Sequence, residues 1–421
     1  MKRREFFRNL CVVALISGLV FIQSLSSEAG VKGPCSECHT MHNSQDGAVV
    51  NEVNGQELEA QSFLIKGANL NLGNPCLGCH KRNASGQYFK DPAKENPETK
   101  ENTDAPQVNV NLESTDGKMS AAGTYYYVAK DKTERDGKSC RKGHNVAGME
   151  DDNSGNEDEL LGVIPPGGTE DCIRSDVSNQ LTCAGASGCH GNRNISDPLA
   201  SIKGGHHSPA TNSYEGRYRD GNTVASSYRM LYHVRGRVAS NWEYGDHADK
   251  FLEQIDLSGE DVNIYQGTDK GVQGDKRDPG PDRSINGFCG ECHGCASDTT
   301  GNGFHSLEGL KGSSQSEMSS PWKRHPTDIV MKQNTAYWNY PGVDGKDYSQ
   351  EVPVGFAKIT KTGSVNELQK SERVVLCVSC HRAHGSQYDD SLRWDYNEMR
   401  TTSTKGDGCF RCHTDKYNRQ D

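Results

Sequence analysis

Hydrophobic positions are thinly and unevenly spread along this chain. One continuous apolar run, residues 10–22, follows a positive head of Lys2, Arg3, Arg4 and Arg8 and precedes the triplet Ser27-Glu28-Ala29. Head, run and small-x-small triplet predict a secretory signal peptide over residues 1–29, and the run is too short to cross a bilayer. The opening KRREFFRNL also fits a twin-arginine signal, since a basic head serves both export routes. Cys11 precedes the apolar run, so no lipoprotein anchor is expected. Beyond residue 29 the periodic stretches are few. Residues 123–130, GTYYYVAK, read as a short aromatic strand, and residues 365–383, VNELQKSERVVLCVSCHRA, can include a helix. Residues 92–102 and 268–282 are rich in charge, Gly and Pro and read as surface loops. No composition break marks a boundary, so residues 30–421 are expected to form one continuous unit that is mostly coil, with short helices and few strands.

Composition sharpens this picture. Only 33% of residues are hydrophobic, Gly reaches 46 and the mean hydropathy is −0.81. A chain of 421 residues ordinarily has more apolar side chain to bury. Either much of it is disordered, or something other than side chains fills the interior. Removing residues 1–29 takes away four bases and two acids and moves the net charge from −10 to −12. An acidic surface disfavours nucleic acid and anionic membranes and favours cationic partners or metal ions. The acidic stretch 150–159 lacks the spacing of a calcium loop and reads as a solvated face.

The cysteines choose between disorder and a non-protein core. Of 16 cysteines, ten form five Cys-x-x-Cys-His units: Cys35/Cys38/His39, Cys76/Cys79/His80, Cys289/Cys292/His293, Cys377/Cys380/His381 and Cys409/Cys412/His413. Two sulfurs two residues apart reach the two vinyl-derived edges of one porphyrin, and the following His turns its imidazole to the iron. Disulfides, zinc and redox dithiols also use Cys-x-x-Cys, but none requires His next. Five chance placements have a probability on the order of 10⁻⁷ at this His frequency. Covalent c-type haem is therefore expected at all five.

A sixth site is expected at LTCAGASGCHGN, where Cys183 and Cys189 are separated by five small residues and followed by His190. The two glycines let such a loop bulge and return its first sulfur to the ring; a disulfide beside an ordinary histidine is the alternative. Cys140, Cys172 and Cys295 remain. SCRKGHN looks like a haem motif whose second cysteine has become Gly143, and reads as a loop presenting His144. A Cys140–Cys172 bridge would add roughly 3–4 kcal/mol on the chain-entropy estimate.

Six of the 15 histidines lie in these motifs. The other nine exceed the six further axial ligands that six bis-histidine irons need. His144, His325 and His384 are strong candidates; His206 or His207, His305 and His247 follow; His233, among Tyr, Met and Leu, suits packing. His42 follows His39 by three residues, and three residues span at most about 10–11 Å. That is too short to go around a porphyrin rim, so His42 must serve another iron. His384 stands in the same relation to His381. The repeated Cys-x-x-Cys-His-x-x-His-x-Ser implies peptides that each serve two rings.

Taken together, CSECHTMHNS, KGHN, RHP, CVSCHRAHGS and CFRCHTDK resemble the hexahaem cytochromes of the OmcS type, which polymerise into extracellular filaments. The resemblance runs from about residue 35 to residue 413 and is best at the two ends. It implies a mostly coil chain wrapped around a string of six bis-histidine haems. It also implies that His42 reaches the haem held by His381 in the neighbouring subunit. The long third motif, the His206-His207 pair and three extra cysteines depart from the pattern. The implied function is extracellular electron transfer along a homopolymer, with other redox proteins or extracellular acceptors as partners and no membrane span. A monomeric periplasmic shuttle uses the same chemistry. A multihaem oxyanion reductase needs an open coordination position, and no motif has Lys in place of the attachment His.

Overall fold

A computed structural model describes residues 121–147, 325–331 and 349–359 in part, 75–76, 181–205, 218–238, 263–268, 284–293, 372–400 and 408–413, and the short strands within 44–57. Regular structure is sparse among them. Strands β1 (Ser44–Gln45) and β2 (Ala48–Val49) pair antiparallel, as do β3 (Glu52–Val53) and β4 (Gln56–Glu57). β5 (Thr182–Ala184) pairs with β6 (Gly188–His190), and helix α1 (Pro198–Ser201) follows. α1 starts at Asp197, whose side chain accepts from the Ala200 N–H while Pro198 occupies the first turn. α2 (Ile285–His293) is nine residues long and α3 (Cys377–Cys380) is one turn. The expected mostly coil architecture is what the chain adopts. Among the described residues no helix is long and apolar enough to cross a membrane.

One small sheet organises the middle. It contains β7 (Tyr218–Arg219), β8 (Gly236–Arg237), β9 (Ile264–Gln266), β10 (Gly355–Phe356) and β11 (Arg373–Val374), in the order β11-β10-β9-β8-β7. β9 and β10 run parallel and the other pairs antiparallel. The register puts Val374, Gly355, Tyr265 and Gly236 on one face, and Phe356 and Ile264 on the other. Each face covers its own apolar cluster. Tyr265 and Val374 pack with Tyr228, Val234, Ile285, Phe288 and Leu376, against which Cys189 lies. Ile264 and Phe356 pack with Met331, Val352, Val354 and Trp394, beside Cys380, Cys409 and Cys412. Burying side chains the size of Phe356, Ile264 and Leu376 is worth about 1.5–3 kcal/mol each.

Gly355 shows why such short strands suffice. A Cβ there would lie 2.7 Å from Leu376 Cδ2, so the bare backbone lets Leu376 seal the sheet face. A third cluster, Tyr125, Val128 and Val146 with Leu181 and Cys183, joins residues 121–147 to the long motif.

One expected element is corrected and another is found. The described residues of 123–130 form no strand: Gly123 makes an isolated bridge to Gly385 at φ +83°, Tyr125 bends, and Tyr127 and Val128 are helical. The aromatics answer to packing instead, for Tyr125 stacks on His384 with ring centres 4.7 Å apart. Within 365–383 the expected helix is the single turn α3, which leads into His381. A strand at Arg373–Val374 precedes it, where Val374 pairs with Gly355 and packs, fully buried, in the cluster around Tyr265.

Candidate haem-attachment sites

The described short motifs are presented on helical segments, two of them single turns. In α3, Cys377 and Cys380 stand three residues apart and so share a face. Ser379 Oγ accepts from the Leu376 N–H at 2.9 Å and donates to the Pro353 carbonyl at 2.5 Å, which pins the turn. His381 leaves in extended conformation while its N–H donates to the Cys377 carbonyl at 3.0 Å. The last motif repeats this bond: in the 3₁₀ turn Gly408–Arg411, the N–H of His413 reaches the Cys409 carbonyl at 3.0 Å. α2 carries Cys289, Cys292 and His293, and Asn286 ties it to α3 by accepting from the Cys377 N–H at 2.7 Å.

The long motif uses strands. β5 holds Cys183, β6 holds Cys189 and His190, and Ala184 stands opposite His190. Between them the chain bulges through Gly185, at φ +88°, and closes with Gly188 N–H to Gly185 carbonyl at 3.0 Å. A Cβ on Gly188 would fall 2.4 Å from Ala184 N. Glycine is obligatory there.

The four motifs are contiguous. The side chains of Cys289 and Cys377 lie beside each other. Cys380 and Cys412 share the cluster around Trp394 with Cys409, and Cys189 feels the charges of Cys289 and Cys292. Burial pushes the thiols of Cys189, Cys380 and Cys412 up to about 12. A redox dithiol needs the opposite shift, towards thiolate. These sulfurs suit a bond that removes the proton altogether.

The histidines fall into pairs. His293 faces His144 with ring centres 5.9 Å apart, His190 faces His384 at 6.3 Å, and His413 faces His325 at 6.2 Å. Interplanar angles of 53°, 55° and 77° are not those of stacked rings. Each pair joins an attachment histidine to a histidine outside the motifs. His384 thus meets the histidine of a different motif from the one that precedes it. Nδ1 donates to a backbone carbonyl in His144 (Ala383, 2.5 Å), His190 (Arg229, 3.1 Å) and His381 (Asp390, 2.7 Å). That fixes the tautomer and leaves Nε2 as the available lone pair. Burial, with His190 and His144 nearby, pushes the His384 pKa down to about 3, so it is neutral and able to ligate.

These residues fit a haem iron. An imidazole–metal bond is about 2.0 Å and the ring centre lies about 1.2 Å behind the ligating nitrogen, so two imidazoles on opposite sides of one metal have centres about 6.4 Å apart. The three observed spacings lie close to that value.

Other sequence candidates lie outside the described residues: Cys35, Cys38, His39, His42, Cys79, His80, His206, His207, His247 and His305, as well as Cys140, Cys172 and Cys295. Cys76 is described and half-buried. His233 stacks on Tyr232 with ring centres 3.7 Å apart. Two features had no signal in the sequence. Arg193 forms a buried ion pair with Glu291 inside one motif, and Glu351 pairs at 3.1 Å with Arg411 inside another. Partners 98 and 60 residues apart leave no local pattern to read.

Residues 370–418 match the family described as a doubled CXXCH motif. Over 390 residues the chain is 26% identical to the C-type cytochrome OmcS of Geobacter sulfurreducens, covering 90% of this chain and 83% of that one. The chain is similar to multihaem c-type cytochromes of the OmcS type. Solved structures similar to this chain include the outer membrane cytochrome S filament from Geobacter sulfurreducens, with 21% identity, a TM-score of 0.35 and coverage of 88% and 85% of the two chains. The OmcS nanowires of the same organism share 19% identity at a TM-score of 0.37, covering 90% and 88%. The doubled motif and the likeness to OmcS support covalently bound c-type haem.

Proposed function

We propose that this cytochrome is an exported electron conduit holding six bis-histidine haems, and that its subunits join end to end outside the cell. The observation that carries the reading is the pairing of His144 with His293, His190 with His384 and His325 with His413 at trans-ligand spacing. The attachment cysteines are Cys35, Cys38, Cys76, Cys79, Cys183, Cys189, Cys289, Cys292, Cys377, Cys380, Cys409 and Cys412. The attachment histidines are His39, His80, His190, His293, His381 and His413. Residues 30–421 act as one unit once residues 1–29 are removed. When bound, the haems supply one-electron ferric/ferrous chemistry. The attachment cysteines and paired histidines would hold them, and the clusters around Tyr265 and Trp394 would screen their edges from water. Contact between Cys289 and Cys377, and between the Cys380 and Cys409 peptides, supports close successive sites for electron passage.

His381 has no second imidazole at that spacing among the described residues, and the resemblance assigns it His42 of a neighbouring subunit. His42→Ala should abolish filaments while each chain keeps six haems by intact mass. Normal filaments from that variant contradict the assignment. Native protein that stays monomeric in size-exclusion points to the shuttle instead, and a high-spin ferric signal to a reductase with an open iron.

A further inference from the structure

Helix α2 carries a carboxylate between its two cysteines, Glu291, and Arg193 follows His190 by three residues. Both are buried, at 4% and 6% exposure, and they form an ion pair. Arg193 Nη2 also donates to the Phe288 carbonyl at 3.3 Å, its guanidinium carbon lies 4.0 Å from the Phe288 ring centre, and Nη1 is 4.0 Å from Cys292 Sγ. The contacts join the long motif peptide to α2. A buried pair of this kind adds little net stability, because desolvating two ions offsets their attraction. Stability alone does not account for it.

Its charges act on what lies beside them. Coulomb interactions in the dry interior are strong and unscreened by salt, and local net charge is one of the levers that set a haem potential. A cation favours ferrous iron and an anion favours ferric iron. Arg193 stays charged in any protein setting, and as a planar fork it can hold Glu291 and the Phe288 carbonyl together.

We propose that Arg193 and Glu291 form an electrostatic clamp that holds the peptides 183–190 and 289–293 together and sets the reduction potential of the haem on Cys289 and Cys292. Both are positioning residues, and the clamp rests on the haem reading above. While both charges are present they cancel; removing either one exposes the other to the iron.

Redox titration of the full-length, haem-loaded protein tests this, with intact mass as the control. Arg193→Gln should move a spectroscopically resolved transition to lower potential, and Glu291→Gln should move the same transition to higher potential. A packing role alone does not give opposite signs. Where only one variant retains its haems, its shift alone decides by sign. Shifts of the same sign, no shift, or loss of haem from both variants overturns the clamp. A wild-type chain without bound haem overturns the functional reading itself.

Discussion

Two candidate attachment peptides, 183–190 and 377–381, present Cys, Cys and His by different means. In the short one, a single turn of helix puts Cys377 and Cys380 on one face, and periodicity does the placing. In the long one, two strands hold Cys183 and Cys189, and a bulge with Gly185 at φ +88° absorbs the extra residues. Both then deliver an imidazole whose Nδ1 is committed to a backbone carbonyl, Asp390 in one case and Arg229 in the other. What the chemistry requires is three side chains in place. Spacing along the chain is one way to obtain that, and glycine-permitted bulging is another.

The largest effect that can break this equivalence is loss of a haem. Cys183→Ala/Cys189→Ala and Cys377→Ala/Cys380→Ala should each lower the intact mass by one haem. A full complement in the first variant would mark the long peptide as structural only. Next in size is Gly188→Val, whose Cβ meets the Ala184 backbone at 2.4 Å. It should destabilise by roughly 1–3 kcal/mol or more, as overpacking does, and deplete haem at that peptide alone; denaturant titration with peptide mapping checks both. Ser379→Ala removes the oxygen that pins the short turn at Leu376 and Pro353, and should cost about 1–2 kcal/mol in the same titration.

The effect of pH is confined to solutions below about pH 6.5. Folded His384 has its pKa pushed down to about 3, whereas an unfolded histidine titrates near about 6.5. Between these values the unfolded chain takes up the proton and the folded chain does not. The His384 contribution is therefore complete above about 6.5 and is lost as pH falls towards 3, by at most about 1.4 kcal/mol per pH unit. Comparing wild type with His384→Phe from pH 7 to pH 4 should show the extra loss in the wild type alone.

How much was legible follows from the same contrast. Cys-x-x-Cys-His is a local pattern, so the short motifs were open to reading, and Cys189-His190 with its run of small residues offered the long one as a candidate. His144, His325 and His384 stood out because the motif count demanded further ligands. Which of them faces which motif did not, since those pairings depend on the tertiary path. The five-stranded sheet was hidden because strands of two or three residues, such as Gly355–Phe356, are too short to show alternation. GTYYYVAK misled because its Tyr125 packs on a histidine rather than on a sheet. Arg193 and Glu291, 98 residues apart, meet only in the folded chain.

The central claim is that histidines from different parts of the chain close opposite sides of one iron. A cryo-EM map of the purified assembly that resolves each iron and its two axial ligands tests it most directly. The account predicts His144 opposite His293, His384 opposite His190 and His325 opposite His413. An iron held by His190 with its far side open, or closed by a residue other than His384, would contradict it.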